Sequence, residues 1–342
     1  MTIAVASGKD ESIIDYMASQ NRHNRKIAVI GTINRDTVIR ADGSRHEGYG
    51  GILYNLAVLS ALSPSGVSVC PVTNVGRDCS RQILHRLAQL ERLESQGVSI
   101  VAKPNNHCIL RYRDESGKTE VLKGWVGAVS RRQLQTAVDA ELILINFISG
   151  ADISSRSLRW LRGQYEGDIY MDFHSRTLGR RRDGSRFLRR PDDWKEYLNC
   201  ANIAQMNELE FELLSGHKAD EISCTDFLRR QLGRTRCLIV TRGSLGCFAM
   251  RRLGATIQFT SIPTPHVAKV VDTTGCGDIF SAGFITNYLT TGNEVAAARY
   301  ATRLASRRVC FSDFFRLDLA ASFKKQRSET SDRLLRSLQR DI

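Results

Sequence analysis

Short apolar runs recur along the chain, and most lead into a stretch with helical spacing. The clearest are KIAVIG at Lys26–Gly31, LILINF at 142–147, DIYMDF at 168–173, ANIAQM at 201–206 and CLIVT at 237–241. Strands this uniformly apolar leave no wet face, so they belong in a mostly parallel sheet covered on both sides by helices. Further elements fit the alternation. A strand is expected at Val67–Val72, and helices after Gly51, from about Asp78 to Glu94 and near 154–164. Another helix is read at NELEFELLSG, and the final third is mostly helical from Gly277 onward. Residues 107–123 read as a hairpin turning at Asp114–Lys118. Ligands in such sheets bind where strands end and helices begin.

A length of 342 residues allows one large α/β domain or two modest ones, and no internal repeat is visible. The formal net charge of +13 favours anionic partners such as nucleotides or phosphorylated metabolites. Seven arginines fall within 176–190, at 176, 180, 181, 182, 186, 189 and 190. Few aromatic residues interleave with them, which argues for a solvated or substrate-attracting loop and against nucleic-acid binding. The nine cysteines are odd in number and form no C-x-x-C pair, the pattern of reduced thiols in a cytoplasmic protein. The seven histidines show no zinc-ligand spacing. The N-terminal apolar run spans only Ile3 to Ser7, unlike a secretory signal, and no stretch approaches the roughly 20 apolar residues of a membrane helix. Residues 1–24 are read as an N-terminal extension, expected to be disordered, and 324–342 as a charged C-terminal helix. The main domain is assigned to 25–323.

The chemistry concentrates in Val270–Phe284, VVDTTGCGDIFSAGF. Two glycines around one small residue let main-chain N–H groups come close to a ligand, and the helix that follows adds its positive end. Gly275, Cys276 and Gly277 therefore form a candidate anion hole, with Asp278 beside it as a candidate base for an attacking hydroxyl. No G-x-x-x-x-G-K-[ST] loop is present.

D-T-T-G-C-G-D closely resembles the D-T-x-G-A-G-D signature of the ribokinase/PfkB family of carbohydrate kinases, and further motifs follow in order over roughly 26–310. The resemblance implies a three-layer αβα sandwich with a mostly parallel central sheet and a β lid. It implies transfer of the γ-phosphoryl group of ATP, with Mg²⁺, to a hydroxyl of a sugar or sugar derivative. A nucleoside kinase of the same fold and a non-catalytic sugar-sensing relative are the alternatives. Gly31-Thr-Ile-Asn34-Arg-Asp36 is similar to a G-x-x-N-x-D substrate motif, and Asn34 and Asp36 share one face of an extended segment. Gly50-Gly51-Ile-Leu-Tyr-Asn55 looks like G-G-x-x-x-N, which places Gly50, Gly51 and Asn55 at the substrate. Asn207-Glu-Leu-Glu210 matches N-x-x-E, which orders Mg²⁺ and its waters, with Glu210 acting indirectly. The same residues also spell an ordinary capping box. Thr241-Arg-Gly243-Ser-Leu-Gly246 resembles the turn bordering ATP, and Thr274 joins it. Asp172-Phe-His174-Ser-Arg176 is similar to D-x-N-x-R with His in place of Asn, and assigns Arg176 to an anionic group of the substrate.

Three departures accompany the match. Only Thr37 to Tyr49 separate the first two motifs, which implies a reduced lid built near 37–49 and 107–123. Asp272 corresponds to a ligand of a monovalent cation such as K⁺, yet the late loop Ser306–Cys310 lacks the usual glycine. Cys276 replaces a small residue, as a silent substitution or as a thiol activated by the helix terminus. The expected assembly is a monomer or homodimer.

Overall fold

The computed structural model describes residues 25–114, 117–267 and 270–310; the N-terminal extension and the C-terminal helix expected at 324–342 lie outside the described residues. The strands are β1 (Arg25–Ile30), β2 (Ile33–Ile39), β3 (Arg45–Gly51), β4 (Val67–Gly76), β5 (Val98–Val101), β6 (His107–Asp114), β7 (Gly117–Lys123) and β8 (Leu142–Asn146). They continue with β9 (Asp168–Asp172), β10 (Leu178–Arg180), β11 (Arg186–Leu188), β12 (Ile203–Asn207), β13 (Cys237–Thr241), β14 (Cys247–Leu253) and β15 (Thr256–Ile262). The helices are α1 (Ile52–Leu62), α2 (Ser80–Ala88), α3 (Arg131–Leu134), α4 (Ser155–Gln164) and α5 (Trp194–Leu198). After them come α6 (Glu208–Ser215), α7 (Glu221–Gln231), α8 (Cys276–Thr291) and α9 (Glu294–Arg308).

The main sheet runs β15-β14-β13-β12-β9-β8-β1-β4-β5. From β13 to β5 every pairing is parallel, and β14 and β15 add an antiparallel edge. The apolar runs become strands buried on both faces, as β8 shows with all five residues buried. Successive side chains then serve different cores. Ile27 and Val29 of β1 pack with α1, α2, α8 and α9, whereas Ala28 and Ile30 pack with α3 to α7. This alternation produces the three layers. Helix α8 is buried over Ile279–Thr286, and its Gly283 lets α9 approach, since a Cβ there would stand 2.8 Å from Leu304.

The helix expected to reach Glu94 stops at Ala88. Arg92 adopts φ 58°, its guanidinium donates to the carbonyls of Ser60 (2.6 Å) and Pro64 (2.8 Å), and Leu93 bridges to Val69 of β4. Tertiary hydrogen bonds thus draw Leu93 to the sheet edge where helical periodicity alone would have continued the turn.

A second sheet, ordered β3-β2-β6-β7, covers the C-terminal ends of the parallel strands. The short Thr37–Tyr49 connection supplies only one hairpin, but β6 pairs in parallel with β2, so the lid reaches four strands. The Arg-rich segment forms a further hairpin, β10–β11, whose Gly184 carbonyl accepts from Leu122 N–H of β7 at 2.9 Å.

Candidate active site

A cavity of about 200 Å³ lies between this lid and the sheet. Its floor is made by residues at strand ends and at the start of α8. The α8 N-cap, Gly275, takes φ 79°, and a Cβ would meet the Tyr54 ring at 3.0 Å, so glycine is required to turn the chain into the helix there. Gly277 differs: a Cβ would find nothing nearer than 3.8 Å, with Asp172 and Gln205 as neighbours. The first-turn N–H groups of a helix lack carbonyl partners within it, so this terminus presents free donors to the cavity. The Cys276 N–H is partly engaged by Thr273 O at 3.3 Å.

Asp278, in the first turn of α8, is held from β8: Asn146 Nδ2 donates to its Oδ1 at 2.7 Å and to Asn55 Oδ1 at 2.9 Å. Asn55 Nδ2 donates in turn to the Asp278 carbonyl at 2.7 Å and to Ser281 Oγ at 2.9 Å. Asn55 is fully buried and braces the carboxylate's support, rather than reaching substrate as expected. Burial raises Asp278 above the usual carboxylate range, partly offset by the Asn146 hydrogen bond and by His174.

Asn34 and Asp36 both line the cavity from β2, as their spacing implied. Asn34 is buried with its Oδ1 unpartnered, an acceptor left over for a hydroxyl. Burial, then the charges of Asp278 and Glu120, push the Asp36 carboxyl well above its ordinary value. Gly50 makes room for that carboxylate, since a Cβ would lie 2.0 Å from its Oδ2. Gly51, at φ 66°, borders the cavity directly.

On the opposite wall, Gln205 Nε2 donates to Asp172 Oδ2 at 2.7 Å and to Gly277 O at 3.2 Å, and Tyr170 OH donates to Gln205 Oε1 at 2.5 Å. Burial pushes Asp172 up to about 8. Partial desolvation opposes the charge of His174, whose side chain stays 46% exposed, but the Glu210 hydrogen bond and the charges of Glu210, Asp172 and Asp278 outweigh that and raise it to about 9. Its Nδ1 lies 3.2 Å from Glu210 Oε1.

Asn207 and Glu210 do form a capping box. Glu210 N–H donates to Asn207 Oδ1 at 2.9 Å, and Asn207 N–H to Glu210 Oε2 at 2.8 Å. Both residues also line the cavity, as do Thr241 and Thr274. Thr274 Oγ1 is buried without a partner, beside the α8 terminus, which suits a phosphate oxygen. Gly243 and Gly246 have positive φ in the turn between β13 and β14, and a Cβ on Gly246 would strike Ile262 O at 2.0 Å. Neither borders the cavity, so their geometry serves the turn.

Three further expectations differ from the arrangement found. Arg176 does not line the cavity; its guanidinium donates to both Asp193 oxygens at 2.5 and 2.7 Å and stacks 4.5 Å above Tyr197. The helix terminus does not lower the Cys276 thiol as expected of an activated cysteine; burial raises it to about 12. Asp272 offers no open carboxylate for a monovalent cation: Oδ1 accepts from Thr274 N–H and Oδ2 from Arg308 Nη2, both at 2.9 Å.

Sequence reasoning missed Asn146, Gln205 and Tyr54, and it missed Cys108, Leu110, Tyr112 and Glu120 of the lid, all of which touch or support this cavity. Asn146 and Gln205 carried a usable signal, being lone amides near the C-terminal ends of otherwise apolar parallel strands.

Residues 184–311 match the model of the pfkB family carbohydrate kinases. The chain is 25% identical over 264 residues, 77% of its length and 88% of the relative's, to a cytidine kinase of Thermococcus kodakarensis. Its fold superposes on a pyrophosphate-dependent kinase of the ribokinase family (TM-score 0.69, 18% identity, 83% of this chain and 95% of that one). It also superposes on the nucleoside kinase of Methanocaldococcus jannaschii (TM-score 0.66, 18% identity, 88% and 98%). The glycine-turned α8 with Asp278 in its first turn lies inside the segment that matches the pfkB family carbohydrate kinase model, and the sheet it stands on has the ribokinase-like α/β fold of these neighbours.

Proposed function

We propose that the protein transfers the γ-phosphoryl group of ATP to a hydroxyl of a sugar or nucleoside, with Asp278 as the base. The observation that carries this reading is convergence. Asp278, the 275–277 turn, and Asn34 with Asp36 all border one lidded cavity. ATP with Mg²⁺, when bound, would supply the transferable phosphoryl group and neutralise its charge.

Asn34 and Asp36 hold acceptor hydroxyls, and Asp278 takes the proton of the reacting one as its oxygen forms the new bond to phosphorus. The bond from phosphorus to the leaving group breaks in line, and the N–H groups of the α8 first turn stabilise the charge on the equatorial oxygens. Thr274 Oγ1 and Thr241 border the phosphate side. Both Glu210 oxygens already accept protein hydrogen bonds, so Glu210 would reach Mg²⁺ through water. The lid above excludes water from the transfer.

A nucleoside acceptor is favoured over a bare sugar by the apolar and aromatic wall of Tyr54, Leu110 and Tyr112, which suits a base. The kinship to a cytidine kinase points the same way. The decisive experiment is a product-release screen of sugars, amino sugars, sugar phosphates and nucleosides, with ATP and pyrophosphate as rival donors. Asp278→Asn should lower turnover at least about 10³-fold with an unchanged melting temperature. Near-normal turnover in that variant would remove the base assignment. Absence of turnover with every pair would favour a sugar-sensing protein.

A further inference from the structure

The last residue of α9, Arg308, is among the largest fully buried side chains, with 1% of its surface exposed. It reaches the turn that leads into α8. Its Nη2 donates to Asp272 Oδ2 at 2.9 Å and its Nη1 to the Asp272 main-chain carbonyl at 3.4 Å. The other carboxylate oxygen accepts the Thr274 N–H, one residue before Gly275. The following residue of the chain completes the clasp: Val309 O accepts from Val271 N–H at 2.6 Å and Asp272 N–H at 3.2 Å. Arg308 also acts electrostatically on Cys276 and on Tyr54, which packs against Gly275.

We propose that Arg308 is a built-in substitute for the monovalent cation, a positioning residue whose guanidinium fixes the Asp272–Gly275 turn so that the protein needs no K⁺. The argument is one of occupied ligands. A cation in this turn would need the Asp272 carboxylate and nearby main-chain oxygens, and both kinds of oxygen already face a fixed positive group. A buried guanidinium cannot be released by lowering the salt, and it is pre-shaped for two oxygens at once. It acts through the turn and touches no reacting atom. The turnover part of this inference rests on the kinase reading; the stability part does not.

The test compares KCl with tetramethylammonium chloride at matched ionic strength. Wild-type melting temperature should be the same in both salts, and turnover with any acceptor found should differ by no more than about two-fold. Arg308→Ala leaves the partly buried Asp272 without its counter-charge. Its turnover should fall about 100-fold or more, mainly in kcat, and K⁺ or low guanidinium should restore part of both turnover and melting temperature. Arg308→Lys should retain more turnover than Arg308→Ala. The proposal is overturned if K⁺ raises the wild-type melting temperature or stimulates wild-type turnover about ten-fold. It is equally overturned if Arg308→Ala melts and turns over like the wild type. Should that variant fail to fold, the wild-type salt comparison decides alone, and the melting arm decides even if no acceptor is phosphorylated.

Discussion

Asp278 faces opposed requirements: it must be ionised to accept a proton, yet it sits where burial resists ionisation. Asn146 reconciles them by donating to the charged form at 2.7 Å. Replacing it with alanine removes that donor and the bridge to Asn55, so the Asp278 pKa rises further. The acid limb of kcat/KM should move to higher pH, and turnover at neutral pH should drop about 10–100-fold. The vacated hydrogen bonds should cost about 1–3 kcal/mol of stability. A pH–rate profile for Asn146→Ala with an unmoved acid limb would show that the amide does not tune the base. Asp36, across the cavity, is also raised by burial and by Asp278, so a proton taken up on one side discourages ionisation less on the other.

At the level of elements, the α8 terminus separates two glycines that look equivalent in the sequence. Gly275 is fixed by φ 79° and the Tyr54 ring, whereas Gly277 is an ordinary helical residue with room for a methyl group. Gly277→Ala should therefore hold or raise the melting temperature, since alanine is favoured over glycine in a helix by about 0.5–1 kcal/mol. Turnover should nonetheless fall about 100-fold, because the methyl intrudes on the phosphoryl position. Unaltered kinetics would mean that the transferred group lies elsewhere. Sequence alone revealed six strands of the parallel sheet, their two-sided burial and the G-C-G-D terminus, because these depend on local pattern, but it passed over β5, β10, β11 and β15. It did not reveal the pairing of β6 with β2, nor the end of α2, because both arise from contacts between distant segments. Arg176 misled for a related reason: alternate residues at a strand end share a face only while the strand continues, and His174–Thr177 instead coil into a 3-10 turn that swings the guanidinium to Asp193. Asn55 was legible as a site residue, but the geometry of its contacts, which gives it a bracing part, was not.

Across the whole molecule, the site makes folding stability depend on pH in a definite direction. His174 stands at about 9 in the folded protein against about 6.5 for an unfolded histidine, so between those values the native state holds the extra proton. Its stabilising contribution is complete below about 6.5 and disappears as pH climbs through about 9. Asp172 has the same sign: at about 8 when folded, against about 3.9 when unfolded, it also keeps a proton that the unfolded chain releases. Each acts electrostatically on the other, so their protons leave as a coupled pair. Melting temperature should thus decline between about pH 4 and 9, with Asp172 acting up to about 8 and His174 from about 6.5 to 9, the reverse of what a salt-bridged carboxylate with a lowered pKa would give. His174→Gln should flatten the upper part of that decline and Asp172→Asn the lower part, measured by thermal denaturation in buffers of constant ionic strength. A wild-type curve that is level or rising over this range, or variants that run parallel to it, would mean that Asp172 and His174 do not carry the protons assigned to them.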